Sequence, residues 1–392
     1  MRESPAFYEF FAGGGMVRAG LGEGWRCLFA NDFDARKGLS YQANWGVGGE
    51  LHVGDVRQVT ADQLPDVVDL VWGSFPCQDL SQAGAGKGLA SDRSGSFYPF
   101  WDLIRSLADE DRAPAIVAVE NVCGALTSRG GADFEAICRT YAEAGYRCGA
   151  LVINAELFTP QSRPRLFIIG VHQRIAIDPT LTSPEPLEPF HTPGLRRAVE
   201  RLPQAIRDGM IWWNLPTPER RASVFADLVE DAPCGADEPA WHTQEETTRL
   251  LAMMTPVNRA KVSAAMRAGR RMVGGVYRRT RTDAEGRKHQ RAEVRFDDVA
   301  GCLRTPGGGS SRQTIMVVEG QSVRSRLISA RETARLMGLP DTYVLPRRYS
   351  EAYHLTGDGV VAPVVRHLAK SLFEPLIRAS VTAATEPLSR RA

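Results

Sequence analysis

The stretch Ala6-Phe7-Tyr8-Glu9-Phe10-Phe11-Ala12-Gly13-Gly14-Gly15 runs from a largely apolar, strand-like segment into three consecutive glycines. A helical pattern over 16–21 follows at once. Glycines between a strand and a helix permit a sharp backbone turn and the close approach of a ligand. The stretch therefore predicts the first strand–turn–helix unit of an α/β sheet, serving either as a nucleotide-type site or as a purely structural turn.

Six further β-rich segments occupy the first half of the chain, with helical patterns between several of them. Strands that alternate with helices are typical of a parallel sheet covered by helices on both faces, so we predict an α/β fold. The predicted strands are 6–11, 27–31, 51–54, 67–73, 115–121, 148–153 and 166–171, and the predicted helices are 16–21, 100–107 and 134–144.

This alternation ends after residue 171, and prolines become frequent over 178–240. We therefore expect a first domain over 1–185, a second region over 186–349 and a C-terminal segment over 350–392. Within that last segment, apolar residues at helical spacing over 363–377 predict an amphipathic helix that packs back on the first domain.

Composition excludes several classes of protein. The 392 residues are 43% hydrophobic, enough for a sizeable core. No run of about 18 apolar residues occurs, and the N-terminus lacks a signal-peptide pattern, so we expect a cytoplasmic protein with no membrane partner. The seven cysteines are odd in number and form no C-x-x-C pair. Reduced thiols are therefore expected, without a disulfide framework or a metal site.

The charge is unevenly distributed. The net charge is +2, yet residues 258–295 hold twelve lysines and arginines against three acidic residues. A segment this basic in an otherwise acidic chain predicts contact with a polyanion, with Arg278, Arg279 and Arg281 as candidates. The alternative interpretation is a solvated, arginine-rich surface.

Two acidic residues come at the ends of predicted strands. Asp32 ends the second strand, where a carboxylate can accept hydrogen bonds from ribose hydroxyls, and Asp55 follows the third strand. Each alone is more typical of a solvated strand end. Because the carboxyl ends of parallel strands meet at one edge of the sheet, both carboxylates and the glycine turn together predict an adenosine-shaped pocket there.

Reactive side chains lie next to three later strands. Cys77 lies in the polar loop after the fourth strand, which suits a nucleophile, although a lone cysteine is usually a small buried hydrophobe. Glu120 ends the fifth strand, where acid–base work and an exposed strand end are the alternatives. Arg163 and Arg165, before the seventh strand, suit the binding of an anion or a carbonyl oxygen, or are surface arginines.

Taken in order, these segments resemble the motifs of the DNA (cytosine-5) methyltransferase family. The matching segments are Phe11–Gly15, Pro76-Cys77-Gln78, Glu120-Asn121-Val122, Gln161-x-Arg163-x-Arg165, Arg326–Glu332 with Gly338-Leu339-Pro340, and Gly357-Asp358-Gly359-Val360. The resemblance implies a Rossmann-like, S-adenosylmethionine-dependent methyltransferase fold. It also implies a mixed, mostly parallel seven-stranded sheet and a second, smaller target recognition domain.

The resemblance also implies a reaction. Cys77 would add as a thiolate to C6 of a flipped-out cytosine, and protonated Glu120 would donate to N3. Arg165 would hold O2, and Arg163 would support Cys77 and the base. C5 would then take the methyl group of S-adenosyl-L-methionine, and loss of the C5 proton and of Cys77 would restore the ring.

Further contacts are implied on the matching positions. Those for the cofactor are Phe11, Ala12, Gly13, Gly15, Asp32, Phe33, Asp55, Val56, Pro76, Phe97, Asp358 and Val360. Those for double-stranded DNA are Ser81, Gly308, Arg312 and Gln313, of which Arg312 and Gln313 are placed either to contact base edges or to hold phosphates. The basic segment with Arg278, Arg279 and Arg281 is expected, from its charge, to supply phosphate contacts. The chain departs from the family pattern at Asp358, usually Asn, at Asp32, often Glu, and at Met16, often Gly.

The resemblance further implies a monomer and suggests a separately encoded cognate restriction endonuclease. The nearest alternative is a tRNA cytosine-5 methyltransferase of the same family, whose recognition region is usually shorter than the roughly 140 residues over 186–325. A nicotinamide-dependent Rossmann oxidoreductase predicts the G-x-G-x-x-G pattern, which is absent from the turn. A non-catalytic DNA-binding regulator leaves the intact Pro76-Cys77-Gln78 segment without a role.

Overall fold

The computed structural model describes residues 4–76, 96–233, 237–282, 286–305 and 312–385. Cys77, Ser81 and Gly308 lie outside these residues. The chain divides into two compact units. The first unit is Met1–Asn154, Pro164–Pro218 and Val360–Ala392, and the second unit is Ala155–Arg163 and Glu219–Gly359.

The first unit is built on a seven-stranded sheet. Its strands are β1 (Ala6–Phe10), β2 (Arg26–Asp32), β3 (Leu51–Val53), β4 (Leu70–Gly73), β5 (Ile116–Val122), β6 (Tyr146–Asn154) and β7 (Pro164–His172). Their order is β3-β2-β1-β4-β5-β7-β6. The first five run parallel to one another, and β7 is antiparallel to both β5 and β6. The predicted α/β fold with a mixed, mostly parallel sheet is confirmed.

This topology brings one set of loops to one edge of the sheet. The carboxyl ends of β1 to β5 share that edge because these strands are parallel. The start of β7 joins them because β7 runs in the opposite direction, which pairs Arg165 with Val122. The sequence segments predicted to be functional in this unit therefore converge there.

Helices of the first unit pack on this sheet. They are α1 (Met16–Leu21), α2 (Ala35–Trp45), α3 (Phe97–Asp109), α4 (Ala132–Glu143), α5 (Pro193–Glu200) and α6 (Gln204–Arg207), and two short strands, β8 (Thr182–Ser183) and β9 (Trp212–Trp213), pair with each other. Helix α1 has the predicted bounds, α3 and α4 differ from the prediction by a few residues, and α2 was not predicted.

The boundary predicted near residue 185 differs from the structure. Leu195, Val199 and Ile206, on α5 and α6, belong to the same buried cluster as Phe134 of α4. Their apolar side chains place residues 186–218 in the first unit, although the frequent prolines interrupt its regular strand–helix alternation. The second unit accordingly begins at Glu219.

The second unit contains a four-stranded antiparallel sheet in the order β11-β10-β12-β13. Its elements are α7 (Phe225–Leu228), α8 (Gln244–Ala252), α9 (Pro256–Arg267), β10 (Met272–Thr282), β11 (Lys288–Arg295), β12 (Thr314–Glu319), β13 (Ser322–Leu327), α10 (Ala330–Leu336) and α11 (Tyr349–Asp358). The predicted capping box is present, because the Ser329 hydroxyl accepts from the Glu332 N–H and the Glu332 carboxylate accepts from the Ser329 N–H.

The chain then returns to the first unit, as the amphipathic pattern over 363–377 predicts. The returning segment comprises α12 (Ala362–Leu368), a π-helical stretch over Ala369–Phe373 and α13 (Glu374–Thr385). Val365 of α12 lies so close to Gly20 of α1 that a Cβ on this glycine would stand 2.5 Å from it. No helix within the described ranges is long and apolar enough to cross a membrane.

Candidate functional site

The glycine turn after β1 has an unusual backbone. Gly13 and Gly15 have φ values of 56° and 76°, and Phe11 has a φ of 59°. This left-handed region is easily occupied by glycine but costs a bulky residue of order 1–3 kcal/mol. The Gly13 N–H donates to Oδ2 of Asp32 at 2.7 Å. Strained residues such as Phe11 are frequent at functional sites, so this turn is a candidate for ligand binding.

Asp32 ties the turn to the end of β2. Its second carboxylate oxygen accepts the Asp34 N–H at 2.8 Å, and the side chain is buried. Burial raises the pKa of Asp32, against the opposing effects of Lys37 and of the two N–H donors. A buried carboxylate with oxygen lone pairs beyond these two bonds suits the predicted binding of ribose hydroxyls.

Two further predicted contacts lie at the same edge. Phe33, directly after Asp32, is 77% exposed, which leaves its ring face open for stacking on a planar group. Asp55 accepts the Arg57 N–H at 3.0 Å, while Val56 is buried beside it. An exposed aromatic ring, one buried and one half-buried carboxylate and a glycine turn fit an adenosine moiety.

Pro76 and Phe97 are placed differently from each other. Pro76 is exposed at the end of the loop that leaves β4. Phe97 has no exposed surface, because its ring packs 5.1 Å from the ring of Phe75 and 5.9 Å from that of Trp101. The side chain therefore belongs to the same buried cluster as Phe75, and its cofactor contact stays a prediction.

Glu9 is a functional candidate that sequence reasoning missed. It is fully buried on β1, and its two carboxylate oxygens accept the N–H groups of Val17 and Arg18 at 3.2 and 3.3 Å. It thereby satisfies backbone donors at the start of α1, directly behind the glycine turn. An acidic residue within an otherwise apolar strand pattern was the available signal.

Burial raises the pKa of Glu9 to about 8 from the usual 4.5, although the two backbone donors oppose the shift. The raised value means that protonation favours the folded state. This contribution is fully present below about pH 4.5 and is lost as the pH rises through 8. As the pH rises between these limits, the free energy of unfolding of the wild type should fall, relative to that of Glu9→Gln, by up to about 1.4 kcal/mol per pH unit. Denaturant unfolding measures this difference. Parallel pH profiles for the two proteins would contradict this prediction.

Glu120 and Arg165 meet at the same edge of the sheet. Nε of Arg165 lies 3.2 Å from Oε1 of Glu120, and both side chains are largely buried. The neighbouring Asn121 amide donates to the Phe75 carbonyl at 3.2 Å, which ties β5 to the segment that leads toward Cys77. The structure thus brings together the predicted proton donor and the predicted carbonyl-binding arginine, in a low-dielectric setting.

Arg163 has a different environment from Arg165. Its guanidinium donates to three backbone carbonyls in the second unit, those of Leu303, Gly357 and Gly359, at 3.1, 2.9 and 2.7 Å. It also lies 3.4 Å from the Cys302 sulfur. Arg163 therefore joins the segment around 302–305 to the end of α11. Its predicted support of Cys77 concerns a partner outside the described residues and stays a prediction.

The final predicted motif contains an exposed aspartate. The Thr305 hydroxyl donates to the Asp358 carboxylate, and Arg163 binds the carbonyls on either side of this residue. Val360 is buried in the first unit. The structure accounts for Asp358 as an acceptor for Thr305, and its cofactor contact and that of Val360 stay predictions.

The two residues predicted to contact bases, Arg312 and Gln313, have different environments. Gln313 is only 5% exposed, and its amide donates to the Val276 and Thr314 carbonyls at 3.2 and 2.9 Å. The amide donors are engaged in the core of the second unit, and the contact of Gln313 with a base or a phosphate stays a prediction. Arg312 is half-buried, with its guanidinium 5.1 Å from the Tyr349 ring centroid. Its base or phosphate contact stays a prediction.

The basic segment forms part of the β10–β11 hairpin. Arg279 pairs across the strands with Arg291, and position 281 pairs with His289, so alternation places all four on one face. Arg278 and Lys288 lie on the opposite face. Except for position 281, these side chains are all exposed or half-buried, whereas Val276 and Val294, nearer the core, are buried. The outer part of the hairpin is therefore a basic ribbon.

Comparisons with known proteins agree with this geometry. A family model described as C-5 cytosine-specific DNA methylase matches residues 6–374. Type II methyltransferase M.NlaX of Neisseria lactamica is 25% identical over 368 residues, 93% of this chain and 95% of that protein. Type II methyltransferase M.HhaI of Haemophilus parahaemolyticus is 27% identical over 371 residues, 93% of each protein. The structure of the methyltransferase EhMeth of Entamoeba histolytica matches in fold, with a TM-score of 0.60 at 13% identity, over 96% of this chain and 99% of that one.

Proposed function

The chain belongs to the C-5 cytosine-specific DNA methylase family, and we propose from this premise how its residues serve the reaction. It is a DNA (cytosine-5) methyltransferase that transfers a methyl group from S-adenosyl-L-methionine to C5 of cytosine in DNA. The assignment of residues rests mainly on the buried Glu120–Arg165 ion pair. This pair lies at the edge of the sheet where β4 ends, and Cys77 follows β4 in the sequence.

Cys77, Glu120 and Arg165 divide the chemistry of the base. Bonding of the Cys77 thiolate to C6 places electron density on C5, which is otherwise a poor nucleophile. Glu120 donates a proton to N3, and Arg165 holds O2, so that the charge developing on the ring is stabilised in a water-poor site. Once C5 has accepted the methyl group, the aromatic ring is restored when the C5 proton leaves, the C6–sulfur bond breaks and the N3 proton returns to Glu120.

The cofactor site that we propose lies at the glycine turn. S-adenosyl-L-methionine supplies an electrophilic methyl group when bound. Asp32 would accept from the ribose hydroxyls, Asp55 from the adenine amine, and the exposed Phe33 would stack on the adenine with Phe11. The remaining proposed contacts are Ala12, Gly13, Gly15, Val56, Pro76, Asp358 and Val360.

Transfer of a tritiated methyl group tests this function directly. Purified protein should label a mixture of duplex DNA fragments, while transfer RNA stays unlabelled. Bisulfite sequencing of DNA from expressing cells should then show methylcytosine within one sequence context. Labelling of transfer RNA alone would favour the RNA methyltransferase instead, and cofactor-dependent hydride transfer without methylation would favour an oxidoreductase.

We assign DNA contact to the basic ribbon, meaning residues 278–282 and 287–291. A two-stranded β-ribbon fits the major groove of B-DNA, and arginines along it can bind phosphates or guanine edges. Extrusion of the target base costs a few kcal/mol, so the flanking duplex must be held firmly. The arginines on both faces of the ribbon supply this contact without removing any side chain from the core of the second unit.

Charge removal on the ribbon should change the salt dependence of binding. In the triple variant Arg278→Ala, Arg279→Ala and Arg281→Ala, the slope of log K against log salt should fall by about 0.9 for each phosphate that the protein no longer neutralises. The matched control replaces three exposed arginines of the first unit, Arg105, Arg139 and Arg207, by alanine. Fluorescence anisotropy with a labelled duplex measures both slopes. Equal slopes for the two variants would move the phosphate contacts away from the ribbon.

Three further features are proposals that rest on the family. The enzyme acts as a monomer, and it works in the cytoplasm beside its DNA substrate. A separately encoded restriction endonuclease recognises the same sequence, in keeping with the Type II designation of its relatives. Size-exclusion chromatography with light scattering and digestion of methylated and unmethylated DNA by neighbouring gene products test these proposals.

A further inference from the structure

The indole of Trp45, at the end of α2, lies against the glycine turn. Its Nε1–H donates to the Gly14 carbonyl at 2.9 Å. A Cβ placed on Gly15 would stand 2.3 Å from the same nitrogen, so the ring touches this glycine directly. No side chain other than hydrogen is compatible with that contact, because backbone and indole meet without a gap.

This contact holds one peptide group at both of its ends. The carbonyl of Gly14 accepts from Trp45, and the N–H of Gly15, in the same peptide plane, donates to the Ala12 carbonyl at 2.8 Å. Two hydrogen bonds at opposite ends of a planar group fix its orientation. With the Gly13 N–H bound to Asp32, three hydrogen bonds hold the turn in one conformation, which lowers the entropy that ligand binding would cost.

Trp45 is itself held by a side-chain network. The Arg18 guanidinium lies 5.0 Å from the Trp45 ring centroid and 5.7 Å from that of Tyr41. It donates to the Tyr41 hydroxyl at 2.9 Å and pairs with Glu50 at 2.5 Å. The Tyr41 and Trp45 ring centroids lie 6.5 Å apart. A guanidinium that contacts both rings and is anchored by a carboxylate favours the indole orientation that reaches Gly14.

We propose that Trp45 is a positioning residue for S-adenosyl-L-methionine, acting through the Gly14–Gly15 peptide group without touching the reacting atoms. The inference rests on the proposed cofactor site. In Trp45→Phe the aromatic ring remains but the N–H donor is lost. The dissociation constant and KM for S-adenosyl-L-methionine should rise by about three- to tenfold, the range of one neutral hydrogen bond, with kcat nearly unchanged.

The matched control is Trp25→Phe, which removes an indole donor to Glu374 at 3.3 Å within the same unit. Equilibrium dialysis with labelled S-adenosyl-L-methionine gives the affinities without turnover, and tryptophan fluorescence should report binding in Trp25→Phe more strongly than in Trp45→Phe. An unchanged affinity in Trp45→Phe would overturn the inference. So would an equal loss of affinity in both variants, since that indicates general destabilisation.

A second variant guards against a folding defect. Arg18→Lys keeps the charge but loses the planar stacking on Trp45, so it should raise the same dissociation constant by a smaller factor. Thermal unfolding with and without ligand shows whether each protein is folded. Wild-type protein that fails to bind S-adenosyl-L-methionine would instead refute the proposed cofactor site, so the two failures are distinguishable.

Discussion

Replacing Cys77 by Ser is expected to abolish methyl transfer to DNA, by at least about 10⁴-fold, the scale on which removal of a nucleophile acts in other enzymes. A serine hydroxyl is far less nucleophilic than a thiolate and cannot readily bond to C6 of the base. Binding of the DNA should persist, because phosphate contacts and not the thiol dominate affinity. Radiolabel transfer and anisotropy on the same preparation separate the two effects.

Cys123 provides the matched control for this experiment. It directly follows β5, and its thiol is close enough to Glu120 and Arg165 to interact electrostatically with both. Burial raises the pKa of Cys123, although Arg165 opposes the shift. The raised pKa disfavours the reactive thiolate. Cys123→Ser should therefore retain activity. The opposite result, with an active Cys77→Ser and an inactive Cys123→Ser, would show that Cys123 is the nucleophile.

A covalent adduct gives a readout that is independent of turnover. In a duplex whose target cytosine is replaced by 5-fluorocytosine, the fluorine cannot leave as a proton does, so the C6–sulfur bond should persist. On a denaturing gel, the wild type and Cys123→Ser should give a stable band of protein bonded to DNA, and Cys77→Ser should not. Absence of the band in wild-type protein that methylates the matching unmodified duplex would contradict covalent catalysis.

Local patterns predicted those parts of the fold that neighbouring residues determine. The strand–glycine–helix unit from Ala6 to Leu21 and the Ser329–Glu332 capping box follow from short-range geometry, and both appear as predicted. The alternation of strands with helices predicted the α/β sheet. The proximity of Glu120 to Arg165 did not follow from local patterns, because it depends on β7 running antiparallel to β5.

Other features depend on contacts between distant parts of the chain. Gln313 is a plausible base reader by residue type, but the long-range packing of β10 and β12 places its amide among backbone carbonyls. Helix α2 was missed because its apolar residues are few, although Asp34 before it is a good N-cap and accepts the Arg36 N–H. The role of Trp45 depends on that helix and on the turn together, so neither segment alone indicates it.

The second large effect is expected at Glu120. Glu120→Gln preserves the shape of the side chain and a carbonyl acceptor for Arg165, but it removes the transferable proton. A positioned acid contributes typically about 10²–10⁴-fold, so kcat should fall by this range while DNA and cofactor affinities change little. Because the acid must be protonated to act, the pH profile of kcat should also differ between the wild type and Glu120→Gln.

A second buried carboxylate separates chemistry from folding in this test. Asp133 of α4 is fully buried and pairs with Arg129, much as Glu120 pairs with Arg165, yet it lies on a helix and not at the end of a strand. Loss of the charge of a buried carboxylate that is paired with an arginine is destabilising in either place. Asp133→Asn should therefore lower the unfolding midpoint but leave kcat and its pH profile intact. If Asp133→Asn and Glu120→Gln lose kcat equally, the loss reflects the fold. If Glu120→Gln keeps the wild-type kcat and pH profile, protonation of the base at N3 must come from a group other than Glu120.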